Sequence, residues 1–307
     1  MTQDHDEGAN ENACGGLDAP RAVTLPDGAQ VPAIGQGTWR MGDDPACAAE
    51  ERAALVAGLR AGARLIDTAE MYGSGASERL VGVALTDASA AGIDRKDVFL
   101  VSKVLPEHAS RAGVVAACEH SLERLGTDYL DLYLLHWCGP IPLSQTIDGM
   151  RDLVARGLIR RWGVSNFDAD DLRELWEVPG GRACAVNQVL YHLGSRGIEF
   201  GVLPWMRAHG MPAMAYCPLA QQGRLRAGLL DSPVVAGIAR AHDATPAQVL
   251  LAFAVRGGDV VAIPQTGSAS HARENAAAMG IKLAPLELKA LDAAFPAPRS
   301  WTPLDMV

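Results

Sequence analysis

Apolar positions along the chain fall into two alternating rhythms. Short runs of apolar or β-branched residues lie near 64–67, 98–102, 130–135, 160–164, 184–188 and 213–217, and Val260-Val261-Ala262-Ile263 is a further one. Between them, apolar residues recur at helical spacing near 45–61, 77–91, 110–125, 144–156, 168–176 and 201–209. A two-helix stretch near 232–256 and helices near 268–279 and 285–294 complete the pattern. Strands buried on both faces read as continuously apolar, as Leu130 to Leu135 largely does, and parallel strands need crossovers of this length. With Ile34-Gly35-Gln36-Gly37-Thr38-Trp39 as the first, the strands number eight. Eight strand–helix units predict an α/β fold, a (β/α)8 TIM barrel, in preference to an open doubly wound sheet.

The two ends depart from that rhythm. Ala22-Val23-Thr24-Leu25 and Ala29-Gln30-Val31 flank Pro26-Asp27-Gly28. Asp-Gly between short strand-like runs predicts an N-terminal β-hairpin, placed to plug the bottom of the barrel. The glycines of the first strand would let backbone or ligand approach closely. After the extra C-terminal helix, Pro296 and Pro298 exclude regular helix, so the chain should end in an ordered tail over the rim. Residues 1–20 carry Asp4, Asp6, Glu7, Glu11 and Asp18 without apolar periodicity and read as a disordered acidic tail. The barrel domain is expected over 21–307.

Composition narrows the function classes. Apolar residues make up 49% of the 307, enough for a large core in one barrel. A net charge of -9 argues against nucleic acid as a partner, since phosphate binding relies on a basic surface. No secretory signal opens the chain, and no run reaches the roughly 18 apolar residues of a membrane span, so a soluble cytoplasmic protein is expected. Cys14, Cys47, Cys118, Cys138, Cys184 and Cys217 form no C-x-x-C pair and read as free thiols, mostly buried. The eight histidines show no ligand spacing, so no metal is expected, and His192 and His209 read as core or surface residues. Gly73-Ser74-Gly75-Ala76-Ser77-Glu78 begins like a dinucleotide fingerprint, but Glu78 stands where the last glycine belongs and a turn is the better reading.

Three successive strand-like runs finish in different ionisable groups. Leu65-Ile66-Asp67 leads within one short loop to Tyr72, Val98 to Ser102 is followed by Lys103, and Leu130 to Leu135 by His136 and Trp137. Such groups gathered at the C-terminal rim of a barrel would form an active site. A phenol with a pKa near ~10 gives up its proton more easily beside an ammonium. Lys103 can supply that charge, Asp67 can hold the lysine, and a neutral His136 can orient a substrate oxygen. The set can deliver a proton to an oxygen that gains negative charge, which suits carbonyl reduction by hydride.

At these residues the chain resembles the aldo-keto reductases. Asp67-Thr68-Ala69 with Tyr72, Val101-Ser102-Lys103 and Leu135-His136-Trp137 match the motifs of their Asp, Tyr, Lys, His tetrad in order and spacing, and the likeness runs from residue 22 to the end. The resemblance implies a (β/α)8 barrel and a nicotinamide cofactor. In Gly163-Val164-Ser165-Asn166-Phe167, Ser165 and Asn166 would bond the nicotinamide carboxamide with Gln188, and Tyr216 would stack on its ring. Thr38, Cys217 and Leu219 join the implied cofactor contacts, Cys217 standing where the family usually has serine. Trp39 and Trp137 match positions of the substrate pocket, and the short loop Cys138 to Leu143 implies an open, shallow site.

The run from Ile263 to Asn275 resembles the family's phosphate-end motif, with Gln265, Thr266, His271, Glu274 and Asn275 at contact positions and Ser268 and Arg273 as further candidates. A lysine is common at the position of Gln265 and an arginine at that of His271, both on the 2′-phosphate of NADP. Their loss implies NADPH with tolerance of NADH. Val189 to Gly197 and Thr302 to Val307 resemble a bacterial branch that reduces methylglyoxal and related aldehydes. A monomer acting on a small carbonyl substrate is expected. A Schiff-base aldolase on Lys103 and a non-catalytic nucleotide-binding regulatory protein are the rival readings.

Overall fold

The computed structural model describes residues 21–306 apart from Gln222. The acidic segment 1–20 and Cys14 lie outside the described residues. Strands β1 (Ala22–Thr24) and β2 (Gln30–Pro32) pair antiparallel as the expected hairpin. Its turn forms because Gly28 takes φ +85° while Asp27 accepts from the Ala29 N–H at 3.1 Å. Val23, Leu25 and Val31 are buried beneath it. Arg161, just ahead of the strand that starts at Trp162, holds Asp27 at 2.7 Å, which seats the hairpin on the N-terminal end of the strands.

Strands β3 (Gln36–Gly37), β4 (Leu65–Asp67), β5 (Phe99–Val104), β6 (Leu132–Leu135), β7 (Trp162–Ser165), β8 (Asn187–Leu190), β9 (Ala213–Tyr216) and β10 (Val260–Ile263) pair in chain order, all parallel. Bridges from Ile34 to Ala262 and from Gly37 to Gln265 bring β3 round to β10. The result is the (β/α)8 barrel that the alternation predicts. Close backbone approach calls for glycine here: a Cβ on Gly37 would sit 2.8 Å from the Ile263 carbonyl oxygen at that seam, and one on Gly35 would sit 3.0 Å from the Leu65 carbonyl oxygen of β4. The glycines of the first strand therefore serve strand-to-strand approach.

Helices α1 (Ala48–Arg60), α2 (Ala76–Ala90), α3 (Arg111–Leu125), α4 (Leu143–Ala155), α5 (Ala169–Glu177) and α6 (Val202–Ala208) return the chain between strands. Their starts follow capping chemistry: Ser110 accepts from the Gly113 N–H, and Asp168 accepts from the N–H groups of Asp170 and Asp171. After β9 come α7 (Arg224–Leu230), α8 (Pro233–Ala241) and α9 (Pro246–Ala254); α10 (Ala269–Ala277) and α11 (Pro285–Ala294) follow β10.

Two expectations about boundaries shift. The run at 184–188 becomes a strand over 187–190, because backbone pairing continues through Leu190 opposite Tyr216. Helix α7 has no counterpart in the apolar pattern; with seven residues between Gly223 and Asp231 it is too short for a clear periodicity. The C-terminal tail lies against the loop after β8, where the Ser195 hydroxyl meets Asp305 and Leu304 packs on the core.

The cysteine expectation needs correction. Cys118 and Cys184 are buried, but Cys47 and Cys138 are exposed and Cys217 is half-buried; all five are free thiols.

Candidate active site

Parallel strands aim their C-terminal ends at one rim, so the side chains that finish them converge. Asp67 ends β4, Lys103 lies next to last in β5, and His136 follows β6. Tyr72 stands in the turn before α2, which Gly73 at φ +54° and Ser74 at φ +52° fold back over the rim. Lys103 is completely buried and Asp67 is 2% exposed. The Lys103 ammonium donates to Asp67 Oδ2 at 2.6 Å, to the Thr68 carbonyl at 2.9 Å and to the Tyr72 hydroxyl at 3.1 Å. Asp67 Oδ1 accepts from Gln188 Nε2 at 2.7 Å, so both carboxylate oxygens receive donors. The His136 ring stands edge-on to the Tyr72 ring at 5.8 Å and tilts against Trp137 at 4.9 Å.

The electrostatics follow from that packing. Burial pulls Lys103 down, but Asp67 and then Tyr72 more than offset it, and its pKa lies above the ordinary value. Burial pushes Asp67 upward against the pull of Lys103. His136 falls to about 3 through burial and then the Lys103 charge, so the imidazole is neutral, which meets the condition for its orienting role. The expectation for Tyr72 is corrected: Lys103 does pull its pKa down, but burial outweighs that pull and the phenol is held above its ordinary value. The proton therefore rests on Tyr72 at neutral pH, the state a donor needs.

Hydrogen bonds that the motifs do not reveal stiffen this corner. Ser77, at the start of α2, bonds Thr38 Oγ1 at 2.8 Å and Thr68 Oγ1 at 3.1 Å, and Thr38 in turn donates to the Asp67 carbonyl at 3.0 Å. Thr38 borders the cavity, but its hydroxyl is engaged in placing Asp67. Glu78 is fully buried and bonds Ser102 at 2.6 Å and Arg124 at 2.5 Å, which ties α2 and α3 to the strand that carries Lys103. The position that breaks the glycine pattern thus has a structural task.

A cavity of about 380 Å³ opens over these groups and extends from Tyr72, His136, Trp39 and Trp137 past Ser165, Asn166, Gln188 and Tyr216 to Ile263, Pro264 and Gln265. Trp39 stands 39% exposed at its mouth. Asn166 takes φ +59°, and its amide is held from both ends: Tyr216 donates to its oxygen at 2.8 Å, while its nitrogen reaches the His136 carbonyl and the Ser165 hydroxyl at 3.2 Å. Amides and a hydroxyl beside a tyrosine suit a flat heteroaromatic amide, so the residues present fit the nicotinamide end of a dinucleotide. Among the described residues, His136 Nδ1 is buried without a hydrogen-bond partner.

The far end is divided. Cys217, at φ +50°, and Leu219 line the cavity with Gln265. Thr266 and Asn275 share a narrow crevice beyond it, and Thr266 Oγ1 accepts from the Ser268 N–H at 3.1 Å. His271 is exposed on the first turn of α10, and Glu274 is half-buried. Arg273 faces a separate groove beside Arg52 and Arg60 of α1, away from the cavity. Arg40 and Arg226, absent from the motif-based candidates, do border it. Arg40 could have been found as the residue after Trp39, but nothing local marks Arg226. Among the described residues no group of His, Cys, Asp and Glu could hold a metal ion, and no helix is long and apolar enough to cross a membrane.

Comparison with known proteins adds relatives to this geometry. The model of the aldo/keto reductase family matches residues 33–295. Methylglyoxal reductase YeaE of Escherichia coli strain K12 is 54% identical over 277 residues, which cover 90% of this chain and 95% of that protein. The crystal structure of an aldo/keto reductase from Klebsiella pneumoniae in complex with NADP and acetate superposes with a TM-score of 0.89 at 51% identity, covering 94% of this chain and 100% of that one. A second Klebsiella pneumoniae structure, an aldo-keto reductase in complex with NADPH, matches with the same TM-score, identity and coverage.

Proposed function

The chain belongs to the aldo/keto reductase family, and from that premise we infer an NADP-dependent oxidoreductase that reduces short aldehydes and 2-oxoaldehydes, methylglyoxal among them, to alcohols. The observation that carries this reading is the contact of Lys103 with both Asp67 and the Tyr72 hydroxyl on the floor of the cavity. The bound cofactor supplies the hydride. Tyr72 gives its proton to the carbonyl oxygen as that oxygen becomes an alkoxide. Lys103 stabilises the phenolate left behind, and Asp67 keeps the lysine charged and in place. His136, neutral and therefore with one N–H, orients the carbonyl oxygen, while Trp39 and Trp137 wall the small substrate and exclude water.

Ser165, Asn166 and Gln188 hold the carboxamide in this reading, and Tyr216 lies against the ring. Gln188 also donates to Asp67, so it links the cofactor end to the proton-donating end. Thr266, Glu274 and Asn275 address the adenosine end. Gln265 and His271 bring no fixed cation there, which weakens the preference for NADPH and admits NADH.

The Schiff-base alternative needs a lysine whose pKa is depressed, and Lys103 is shifted the other way.

Absorbance assays with methylglyoxal and 4-nitrobenzaldehyde, run with each reduced cofactor, test the reading. Turnover above blank is expected with both cofactors, and Gln265→Lys should raise kcat/KM with NADPH about tenfold while leaving NADH unchanged. No turnover of either aldehyde would refute the substrate class. A wild type already strongly selective for NADPH and indifferent to the lysine would refute the weakened preference.

We further read the protein as a cytoplasmic monomer. Sedimentation equilibrium should return the mass of one chain, and a dimer mass at micromolar concentration would overturn the monomer.

A further inference from the structure

Behind the strand that carries Lys103 lies a buried ion pair that no step of the reaction uses. Glu78 stands in the first turn of α2 with none of its surface exposed, and both of its carboxylate oxygens are engaged. The Ser102 hydroxyl donates to Oε1 at 2.6 Å, and Arg124 Nε, from α3, donates to Oε2 at 2.5 Å. A carboxylate this deep is costly unless it is paired and hydrogen-bonded, so Arg124 is a condition of its burial.

Its position relates the pair to both proton-handling groups. Neighbouring residues of a strand point to opposite faces, so Ser102 faces the helices while Lys103 faces the cavity. The bond from Ser102 to Glu78 therefore holds the backbone of Lys103 from behind. On the other side, α2 follows directly on the turn Tyr72–Gly75, and that turn comes down onto Arg124. A Cβ on Gly75 would lie 2.6 Å from Arg124 Cδ and 2.7 Å from its Nε. Backbone contact keeps the arginine in place, since a Cβ on Gly82 of α2 would lie 2.8 Å from the Leu125 carbonyl oxygen and 3.0 Å from that of Arg124. Ser77, the residue before Glu78, bonds Thr38 and Thr68 just beyond β3 and β4. The first turn of α2 is thereby fastened to three consecutive strands.

Such a pair could serve only to join α2 to α3, or it could set the spacing between Tyr72 and Lys103. The arrangement favours the second. A helix-to-helix tie needs neither a bond to β5 nor contact with the Tyr72 turn, and this pair makes both. Resting on the reading of Tyr72 as proton donor, we propose that Glu78 and Arg124 are positioning residues that set the distance between the Tyr72 hydroxyl and the Lys103 ammonium. The titratable groups that act on the phenol are Lys103 of β5, Asp67 of β4 and Cys217 after β9, with the neutral His136 ring beside it. Of these, Lys103 alone draws its pKa down, and that attraction weakens with distance. Loosening the bracket should therefore raise the Tyr72 pKa further, leave the phenolate less stabilised and slow proton donation.

The test compares wild type with Glu78→Gln, Arg124→Ala, Arg124→Lys and Ser102→Ala. Three quantities are measured: the single-turnover rate of methylglyoxal reduction, the NADPH dissociation constant, and the Tyr72 titration by NMR of ring-labelled tyrosine, assigned with Tyr72→Phe. Glu78→Gln and Arg124→Ala should lower the rate about tenfold, with NADPH affinity within about twofold of wild type. Both should raise the Tyr72 pKa by about half a pH unit or more, and the alkaline fall of the reduction rate should move up with it. Arg124→Lys should recover part of both effects. Ser102→Ala, which removes the strand bond and keeps the ion pair, should shift rate and titration the same way by about threefold and a few tenths of a pH unit, and it decides the matter should the other variants not fold. An unaltered rate and titration in the folded variants would overturn the proposal. So would a rate that falls only in step with the folded fraction in urea while Tyr72 titrates as in wild type, since the pair would then be a structural tie alone. A wild type without turnover would sink the proton-donor reading, whereas the Tyr72 titration would still decide whether the pair sets the spacing.

Discussion

Tyr72→Phe should lower kcat for methylglyoxal reduction between a hundredfold and ten-thousandfold, with NADPH affinity within about twofold of wild type. The substitution removes one hydroxyl and little else. Lys103 keeps its bonds to Asp67 and to the Thr68 carbonyl, and the ring keeps its place beside His136. What disappears is the proton source 3.1 Å from the ammonium. Steady-state rates alongside cofactor titration separate the two effects. Less than a tenfold loss of kcat would mean that another group supplies the proton, and a wild type with no turnover to lose would favour the regulatory reading.

The same two groups set the pH profile. Burial holds the phenol above its ordinary value and His136 at about 3, so neither titrates between pH 5 and 8. The reduction rate should show no inflection near 6.5 from His136, and should fall on the alkaline side as Tyr72 loses its proton. Alcohol oxidation, which begins from the phenolate, should rise there instead.

Lys103→Met should cost about 3–5 kcal/mol of unfolding free energy, more than a typical core substitution. The reason is what stays behind. Asp67 is almost wholly buried, and without the ammonium its remaining side-chain donor is Gln188. An unpaired buried carboxylate is penalised far more than the pair itself stabilises, so Asp67→Leu combined with Lys103→Met should recover much of the loss. Urea unfolding of the two single variants and the double variant measures this directly. A single-variant cost below about 1 kcal/mol, or a double variant as unstable as the sum of the singles, would show that the pair is not a buried, mutually dependent unit.

Much of the architecture was legible before any coordinates. The alternation of apolar runs and helical periods carried the barrel, because strands buried on both faces and helices buried on one leave different local signatures. The Asp-Gly turn carried the hairpin in the same way. Helix α7 was not legible, since seven residues between glycine and aspartate give too few turns for a period. Of the candidate site, Asp67, Tyr72, Lys103 and His136 were readable because each finishes a strand or begins the loop after it. Thr38 and Gln188 were assigned to the cofactor alone, and their bonds to Asp67 could not be read from motifs.

By itself, then, the sequence determined the strand order, the residue types at each strand end and the family they resemble, all of which are properties of local pattern and chain order. The tertiary structure decided what depends on distances across the barrel. Lys103 meets Tyr72 across 31 residues, and Gln188 meets Asp67 across 121. Those approaches, and the loss of water that accompanies them, fix the proton on Tyr72, the charge on Lys103 and the neutrality of His136. The same closure turns Arg273 toward α1 and leaves Arg40 and Arg226 on the banks of the cavity. Burial and through-space charge arise when the eight strands close on one another, and no stretch of sequence carries them alone.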